Sequence, residues 1–144
     1  MIIFKQTSAL DSDVYHDALN LRKEVFIEEQ NVPETREIAD EAGALYFVGY
    51  DNSQPLVTAR VQKEDSKTWH VERVAVKKSA RGQKLGSQIL MEVEDSARKA
   101  GISLLTLGAQ DHAQEFYSKL GFKVKGEGFL DAGIEHHKMD KEIR

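Results

Sequence analysis

Cysteine is absent from this chain, which excludes a disulfide scaffold, a thiolate metal site and a cysteine nucleophile, and leaves the redox compartment open. Proline occurs only at Pro33 and Pro55, each where a turn fits, and no repeat, low-complexity tract or linker breaks the chain. No apolar run approaches the roughly 20 residues of a membrane span. The N-terminal MIIFKQTSALDSD has no cationic flank and no long apolar core, so neither a signal peptide nor a membrane partner is expected, and a cytoplasmic location is the default. The lone Trp69, with Tyr46 and Phe47, is most economically core. With 144 residues, 40% apolar and 31% charged, the composition is that of one globular domain spanning 1–144, long enough to bury a proper core.

The formal net charge of −4 argues against general nucleic-acid binding. Its distribution is more telling. From Glu24 to Ala42 lie seven acids (Glu24, Glu28, Glu29, Glu34, Glu37, Asp40, Glu41) and one base, Arg36; from Lys77 to Gln88 lie four bases and no acid. Two solvated faces would explain this. A protein that handles an anion at one place and a cation at another would explain it too.

Periodicity orders the elements. IIF near the start reads as a short strand. Residues 12–29 read as a helix with Val14, Ala18, Leu21 and Val25 on one stripe and Ser12 as cap, and a second short helix is expected within EEQNVPETREIADEAG. ALYFVGY (44–50), LVTARVQKE (56–64) and TWHVERVAV (68–76) read as strands of an antiparallel meander. The clearest helix is 83–100, with Leu85, Ile89, Val93 and Ala97 every four residues, Leu90 beside them and Gly101 as stop. ISLLTLG (102–108) is apolar enough for a strand covered on both faces. HAQEFYSKLGF (112–122) reads as a shorter helix, and FKVKGE and IEHHKMDK close the chain as a hairpin joined through FLDAG. The strand–helix–strand unit over 68–108 should be a right-handed crossover between parallel strands. The fold class that follows is α+β: a mixed, mostly antiparallel central sheet with one parallel pair and flanking helices.

The stretch VAVKKSARGQKLGSQIL (74–90) runs from strand through basic turn into helix. It matches neither the P-loop G-x-x-x-x-G-K-S/T nor the dinucleotide fingerprint G-x-G-x-x-G, since residue 84 is lysine. The underlying physics remains: the first N–H groups of a helix are unpaired and, with the helix dipole, attract an anion. Gly82 and Gly86 would let ligand oxygens approach the backbone, and Lys77, Lys78, Arg81 and Lys84 add positive charge.

ERVAV followed by four residues and R-G-Q-K-L-G-S-x-I-L resembles the acetyl-coenzyme A motif Q/R-x-x-G-x-G/A of the GNAT superfamily of N-acetyltransferases. Arg81 takes the first position and Gly86 the last, with Lys84 where the middle glycine would stand. At the first turn of a helix the backbone angles are expected to be right-handed, so the lysine should cost little there and could add a phosphate contact. LGAQDHAQEFYSKLGF is similar to the family's second signature, and RKEVFIEEQ and GIEHHKM resemble a small stand-alone bacterial branch. The resemblance covers essentially the whole chain and implies the acyl-CoA N-acyltransferase fold, in which the strands 68–76 and 102–108 splay apart. It further implies acetyl-CoA as cosubstrate, its pyrophosphate on amides from Gly82 through Gln83, Lys84, Leu85 and Gly86 to Ser87, beside Arg81. The pantetheine arm would lie along Val74, Ala75 and Val76 as an added strand does, an amide near Val76 polarising the thioester carbonyl. Gln110 and Ala113 would hold the arm or the helix start.

The implied reaction is transfer of an acetyl group to a primary amine by direct attack in a ternary complex. Tyr117 occupies the family's position for the general acid that protonates the leaving thiolate; its ordinary pKa of roughly 10 against roughly 8.5 for a thiol makes the step mildly uphill. For the base, Glu72 and His70 share a strand with Val74, and simple alternation puts all three on one face; a water relay is the third option. His136 and His137 are adjacent on a strand and so point to opposite faces, and no H-E-x-x-H or H-x-x-E-H spacing supports a metal site. The acidic 24–42 segment is the expected wall of the acceptor side, favouring a cationic small-molecule or peptide amine. Exposed C-terminal hairpins are compatible with a homodimer. Two other readings fit the same residues: a non-catalytic acyl-CoA-binding sensor or regulatory domain, and an interaction module with an incidental basic turn.

Overall fold

The computed structural model describes residues 1–29, 41–131 and 133–143. The chain enters through strand β1 (Ile3–Thr7) and turns at Ser12, whose hydroxyl accepts the Tyr15 N–H at 3.2 Å and so caps helix α1 (Asp13–Arg22). Helical winding continues to Glu29, but from Lys23 it widens to a π-helical form. The predicted stripe holds: Ala18, Leu21 and Val25 are buried and Val14 partly so. The second short helix predicted after it lies almost wholly outside the described residues.

Strands β2 (Leu45–Asp51), β3 (Gln54–Lys63) and β4 (Thr68–Val76) form the expected antiparallel meander. Asn52 and Ser53 both take positive φ (50° and 67°), the two-residue turn whose twist suits a hairpin. After β4 come helix α2 (Leu85–Lys99) and strand β5 (Leu104–Gln110), which lies parallel to β4. α2 ends as its sequence predicts. Gly101 takes φ 78°, its N–H meets the Arg98 carbonyl at 3.1 Å, and the Ile102 N–H reaches back to Ala97 at 2.9 Å. Helix α3 (Gln114–Lys119) then leads to β6 (Lys123–Asp131) and β7 (Ile134–Glu142). β7 inserts between β5 and β6, giving one seven-stranded sheet in the order β1-β2-β3-β4-β5-β7-β6.

The mixed α+β architecture is the predicted one, with shifts at element ends. The predicted joining loop FLDAG gives Phe129, Leu130 and Asp131 to β6, paired with His136, Glu135 and Ile134. The predicted helix 112–122 starts as a tight turn over Asp111–Ala113 before α3.

Each sheet face has its own core. α1 covers Tyr46, Val48 and Tyr50 with Tyr15, Ala18 and Leu21. On the opposite face the apolar stripe of α2 (Leu85, Ile89, Leu90, Val93, Ala97) meets Phe47, Val57, Val61, Trp69, Val71, Leu105 and Met139. Glu94 fixes α2 laterally, with one oxygen 2.5 Å from Lys141 of β7 and the other 2.6 Å from Arg98.

Candidate functional site

The site begins where two parallel strands part. β4 and β5 are in register at Thr68↔Leu104, Trp69↔Leu105 and His70↔Thr106, and no further, although β4 runs to Val76 and β5 to Gln110. The cause lies in β4. Arg60 of β3 faces Glu72 while Thr58 faces Ala75, so two steps on β3 match three on β4. The extra residue is accommodated at Arg73, which takes φ 54°. Such a bulge bends its strand and sharpens its twist, carrying the end of β4 away from β5.

The bulge also resets the alternation of side chains. Trp69 and Val71 belong to the α2-side core, and Val74 and Val76 pack against that same core. Glu72 points to the other face, where it meets Arg60. The two-residue count that put Glu72 and Val74 on one face is therefore corrected: the inserted residue inverts it. His70 and Glu72, both before the bulge, do share a face.

Beyond Val76 the chain makes a tight turn (Lys78–Ala80) and enters α2. Arg81 folds back so that its Nε donates to the Val76 carbonyl at 3.2 Å. Gly82 takes φ 87°, and a Cβ there would meet nothing within 4 Å, so its surroundings are open. The first rung of α2 runs from the Gln88 N–H to the Lys84 carbonyl at 3.1 Å, so the amides of Leu85, Gly86 and Ser87 precede the ladder. The buried Leu85 and Ile89 hold this helix start at the end of β4. Lys78, Arg81, Gln83 and Lys84 are exposed, whereas Lys77 lies 3.6 Å from Glu24.

One expectation for this turn needs correction. Lys84 takes φ 61° and ψ 26°, left-handed rather than right-handed, because it caps the helix instead of sitting in its first turn. A side chain there costs on the order of 1–2 kcal/mol, which glycine would not incur. At Gly86, a Cβ would come 3.4 Å from Phe116 Cζ and 3.9 Å from Val76 Cγ2, so the start of α2 also packs near α3 and the end of β4.

Tyr117 sits on α3, on the α2 side of the sheet. Its ring meets Phe116 edge-on at 5.0 Å and Phe122 at 5.9 Å. The K-L-G-F sequence explains the second contact: Gly121 takes φ 96° and the Phe122 N–H returns to the Tyr117 carbonyl at 3.1 Å, a helix stop that brings the two side chains together. Burial pushes the phenol above its ordinary value, and the hydroxyl has no hydrogen-bond partner among the described residues. Gln110 ends β5 and Ala113 ends the turn before α3, both half-buried.

That turn is tied to the sheet by contacts no local pattern announces. Asp111 Oδ1 lies 2.7 Å from His137 Nδ1 and accepts from Gln114 Nε2 at 3.1 Å. The hydrogen bond to His137 holds the Asp111 carboxyl below its ordinary value. The His137 ring lies over Gly128, where a Cβ would come within 2.9 Å of it. His136 points to the opposite face, as predicted, and is buried. Among the described residues no group of three His, Cys, Asp or Glu side chains could hold a metal ion.

The α1 side of the opening is lined by buried charge. Glu72 Oε1 accepts from Arg60 Nε at 2.9 Å and from Nη2 at 2.5 Å, and Arg60 Nη1 reaches Glu41. Glu41 also receives Arg22 through Nη1 at 2.7 Å and Nη2 at 3.2 Å, and the Tyr15 hydroxyl at 3.0 Å. Arg22 and Arg60 are 0% and 1% exposed, so their charges depend on these carboxylates. Burial alone would raise the Glu41 carboxyl; the bonds and charge of Arg22, joined by Arg60, hold it below its ordinary value. His70 lies at the margin, Nδ1 3.5 Å from Glu64 and Nε2 4.0 Å from Glu72. Glu41, counted in sequence with the acidic acceptor wall, is thus a structural counter-ion and Glu24 a partner of Lys77. Glu34, Glu37 and Asp40, with the side chains of Glu28 and Glu29, lie outside the described residues.

The chain is similar to known proteins over nearly its whole length. A family model described as an acetyltransferase (GNAT) domain matches residues 11–143. The uncharacterized N-acetyltransferase YjcF of Bacillus subtilis is 38% identical over 140 residues, 96% of this chain and 99% of that one. The crystal structure of Escherichia coli ElaA superposes with a TM-score of 0.86 at 28% identity, covering 99% of this chain and 100% of that one. A GNAT family acetyltransferase from Elizabethkingia anophelis, solved with acetyl-CoA bound, has a TM-score of 0.70 at 16% identity over 99% and 98% of the two chains, a likeness of fold.

Proposed function

The chain belongs to the GNAT acetyltransferase family, and from that premise we propose that it acts as a single-domain, acetyl-CoA-dependent N-acetyltransferase that acetylates a primary amine by direct attack in a ternary complex. The observation that carries this reading is the opening between β4 and β5, set against the exposed start of α2. Residues on its two faces divide the work.

The residues fit the cosubstrate by their own geometry. The unpaired edge of β4 at Val74, Ala75 and Val76 offers backbone groups to an amide-containing arm, and the open space at Gly82 admits phosphate oxygens. Amides from Gly82 through Gln83, Lys84, Leu85 and Gly86 to Ser87, with the Lys84 ammonium and the Arg81 guanidinium beside them, would hold the pyrophosphate. Gln110 and Ala113 would border the arm. When bound, acetyl-CoA supplies an acetyl group activated as its thioester.

Tyr117 would give its phenolic proton to the departing sulfur. Its raised pKa keeps it protonated through the neutral range, as a general acid requires. An amide near Val76 would stabilise charge developing on the carbonyl oxygen. The amine would arrive from the α1 face, where Glu72 is hydrogen-bonded to Arg60 and His70 stands beside it; these two, directly or through water, are proton acceptors in reach of that face. With the acidic 24–42 segment on the same side in the sequence-based reading, the acceptor proposed is a cationic amine, small-molecule or peptide. Incubating the protein with labelled acetyl-CoA and a panel of such amines tests the reading. Acetylated amine and free thiol should form together, and failure with every amine would overturn it.

A further inference from the structure

His136 is only 8% exposed, and its Nδ1 lies 2.7 Å from the carbonyl oxygen of Ile134. A carbonyl cannot donate, so Nδ1 carries the hydrogen, and the neutral ring therefore keeps its lone pair on Nε2. The ring stacks on Phe129 with centroids 5.5 Å apart and planes at 22°. Phe129 in turn lies over Gly108, where a Cβ would come within 3.2 Å of its Cζ. The missing side chain on β5 thus makes room for the ring that fixes the histidine.

The sheet register places this imidazole. His136 pairs with Gln110, the last residue of β5, and shares its face. Counting back in twos along β5 from Gln110 reaches Gly108 and Thr106, and the Thr106 hydroxyl bonds Asp140 of β7 on that face at 2.6 Å. Thr106 is in register with His70, so His70 and Glu72 face the same way. His136 and Glu72 therefore flank the opening on the α1 face, while Val74, Val76 and Tyr117 lie on the other.

We propose that His136 Nε2 is the proton acceptor for the attacking amine, an assignment that rests on the acyl-transfer reading above. The alternatives are less suited. Glu72 is committed to Arg60, and a carboxylate with an ordinary pKa of about 4.3 is a weak base for an ammonium. His70 stands 3.5 Å from Glu64 and 4.0 Å from Glu72, and no hydrogen bond among the described residues fixes which of its nitrogens carries the lone pair. An imidazole whose Nδ1 is held by the Ile134 carbonyl and whose Nε2 has no hydrogen-bond partner among the described residues matches the task. The groups that face it from neighbouring strands, Gln110 and Phe129, are uncharged. Lys138 and Asp140 share its face along β7, Lys125 stands opposite Lys138 on β6, and the Asp111 carboxylate feels its charge.

The protons balance. The ammonium gives one proton to Nε2, and the freed lone pair forms the C–N bond as the C–S bond breaks. The sulfur takes the Tyr117 proton, and the second proton lost from nitrogen restores the phenol. The imidazolium then releases its proton to solvent.

The test combines spectroscopy and kinetics on the full chain. Long-range ¹H–¹⁵N correlation on the unliganded protein should show neutral His136 as the Nδ1–H tautomer. With n-propylamine, an ammonium at neutral pH, His136→Asn should lower kcat/KM about 100-fold or more while the KM for acetyl-CoA holds, because asparagine can keep the bond to Ile134 but has no basic nitrogen. With hydroxylamine, neutral at the same pH, the loss should stay under tenfold. His136→Gln provides the same comparison from a second side-chain shape. An Nε2–H tautomer, equal losses with both nucleophiles, or selective loss of propylamine turnover in Glu72→Gln instead would overturn the assignment while leaving acyl transfer intact. An Nδ1–H tautomer in a protein that acetylates neither these nucleophiles nor any amine of the panel would instead condemn the acyl-transfer reading and this assignment with it.

Discussion

The Phe122 N–H returns to the Tyr117 carbonyl at 3.1 Å while the two rings meet edge-on at 5.9 Å. One glycine-stopped helix end thus sets both the length of α3 and the position of the proposed acid. Tyr117→Phe keeps the ring and removes the proton. Turnover should fall by about 10²–10⁴-fold with acetyl-CoA affinity unchanged, measured by steady-state kinetics beside titration calorimetry. A variant with full turnover would remove Tyr117 from the mechanism. Because the phenol must be protonated to act and burial raises its pKa, its loss as an acid should appear only as the pH climbs past about 10.

At Lys84 the fold holds a lysine in a left-handed conformation that glycine adopts freely. Lys84→Gly should stabilise the unliganded protein by about 0.5–1 kcal/mol, raising Tm by about 2–4 °C, and at the same time weaken acetyl-CoA binding through the lost ammonium. Thermal unfolding with and without ligand separates the two effects. A lower Tm without ligand would contradict the strain argument.

The buried Arg22–Glu41–Arg60–Glu72 chain makes stability depend on pH. The folded pKa of Glu41 lies below its unfolded value, so its contribution is present above the ordinary carboxylate range and is lost as the pH falls through the folded value. Stability should decline from about pH 5 downward. Glu41→Gln should flatten that limb and cost about 3–5 kcal/mol at neutral pH, because two buried guanidinium groups lose a counter-charge. Denaturant unfolding across pH checks both; an unchanged acid limb would show that other carboxylates control it.

The acidic run after α1 bears on acceptor choice. Replacing Glu28, Glu29, Glu34 and Glu37 together by glutamine should raise KM for cationic amines, increasingly so at low salt, and leave neutral acceptors unaffected. Equal effects on both would refute steering by charge.

What could be read in advance follows from how local the cause is. The bounds of β4 were legible to the residue because T-W-H-V-E-R-V-A-V is rich in β-branched residues with an aromatic and is bounded by turn chemistry: the Lys67 N–H bonds the Asp65 carboxylate at 2.8 Å. The bulge at Arg73 was not legible, since Arg and Val fit either side of a half-buried strand, and so Glu72 came out on the wrong face. The basic turn and the Gly101 stop are local and legible. The left-handed Lys84 is set by how α2 docks, and its one signal was the glycine that the resembling motif carries there. The Arg60–Glu41 and Asp111–His137 contacts join residues 19 and 26 positions apart, distances at which periodicity carries no information.

The central claim is that the amides at the start of α2 and along the parted end of β4 hold acetyl-CoA. An amide ¹H–¹⁵N correlation titration with acetyl-CoA tests it residue by residue. The account predicts that the largest shifts fall on Gly82–Ser87 and Val74–Val76 and saturate together. Absence of shifts at both segments with acetyl-CoA in excess, or shifts confined to other parts of the fold, would contradict it.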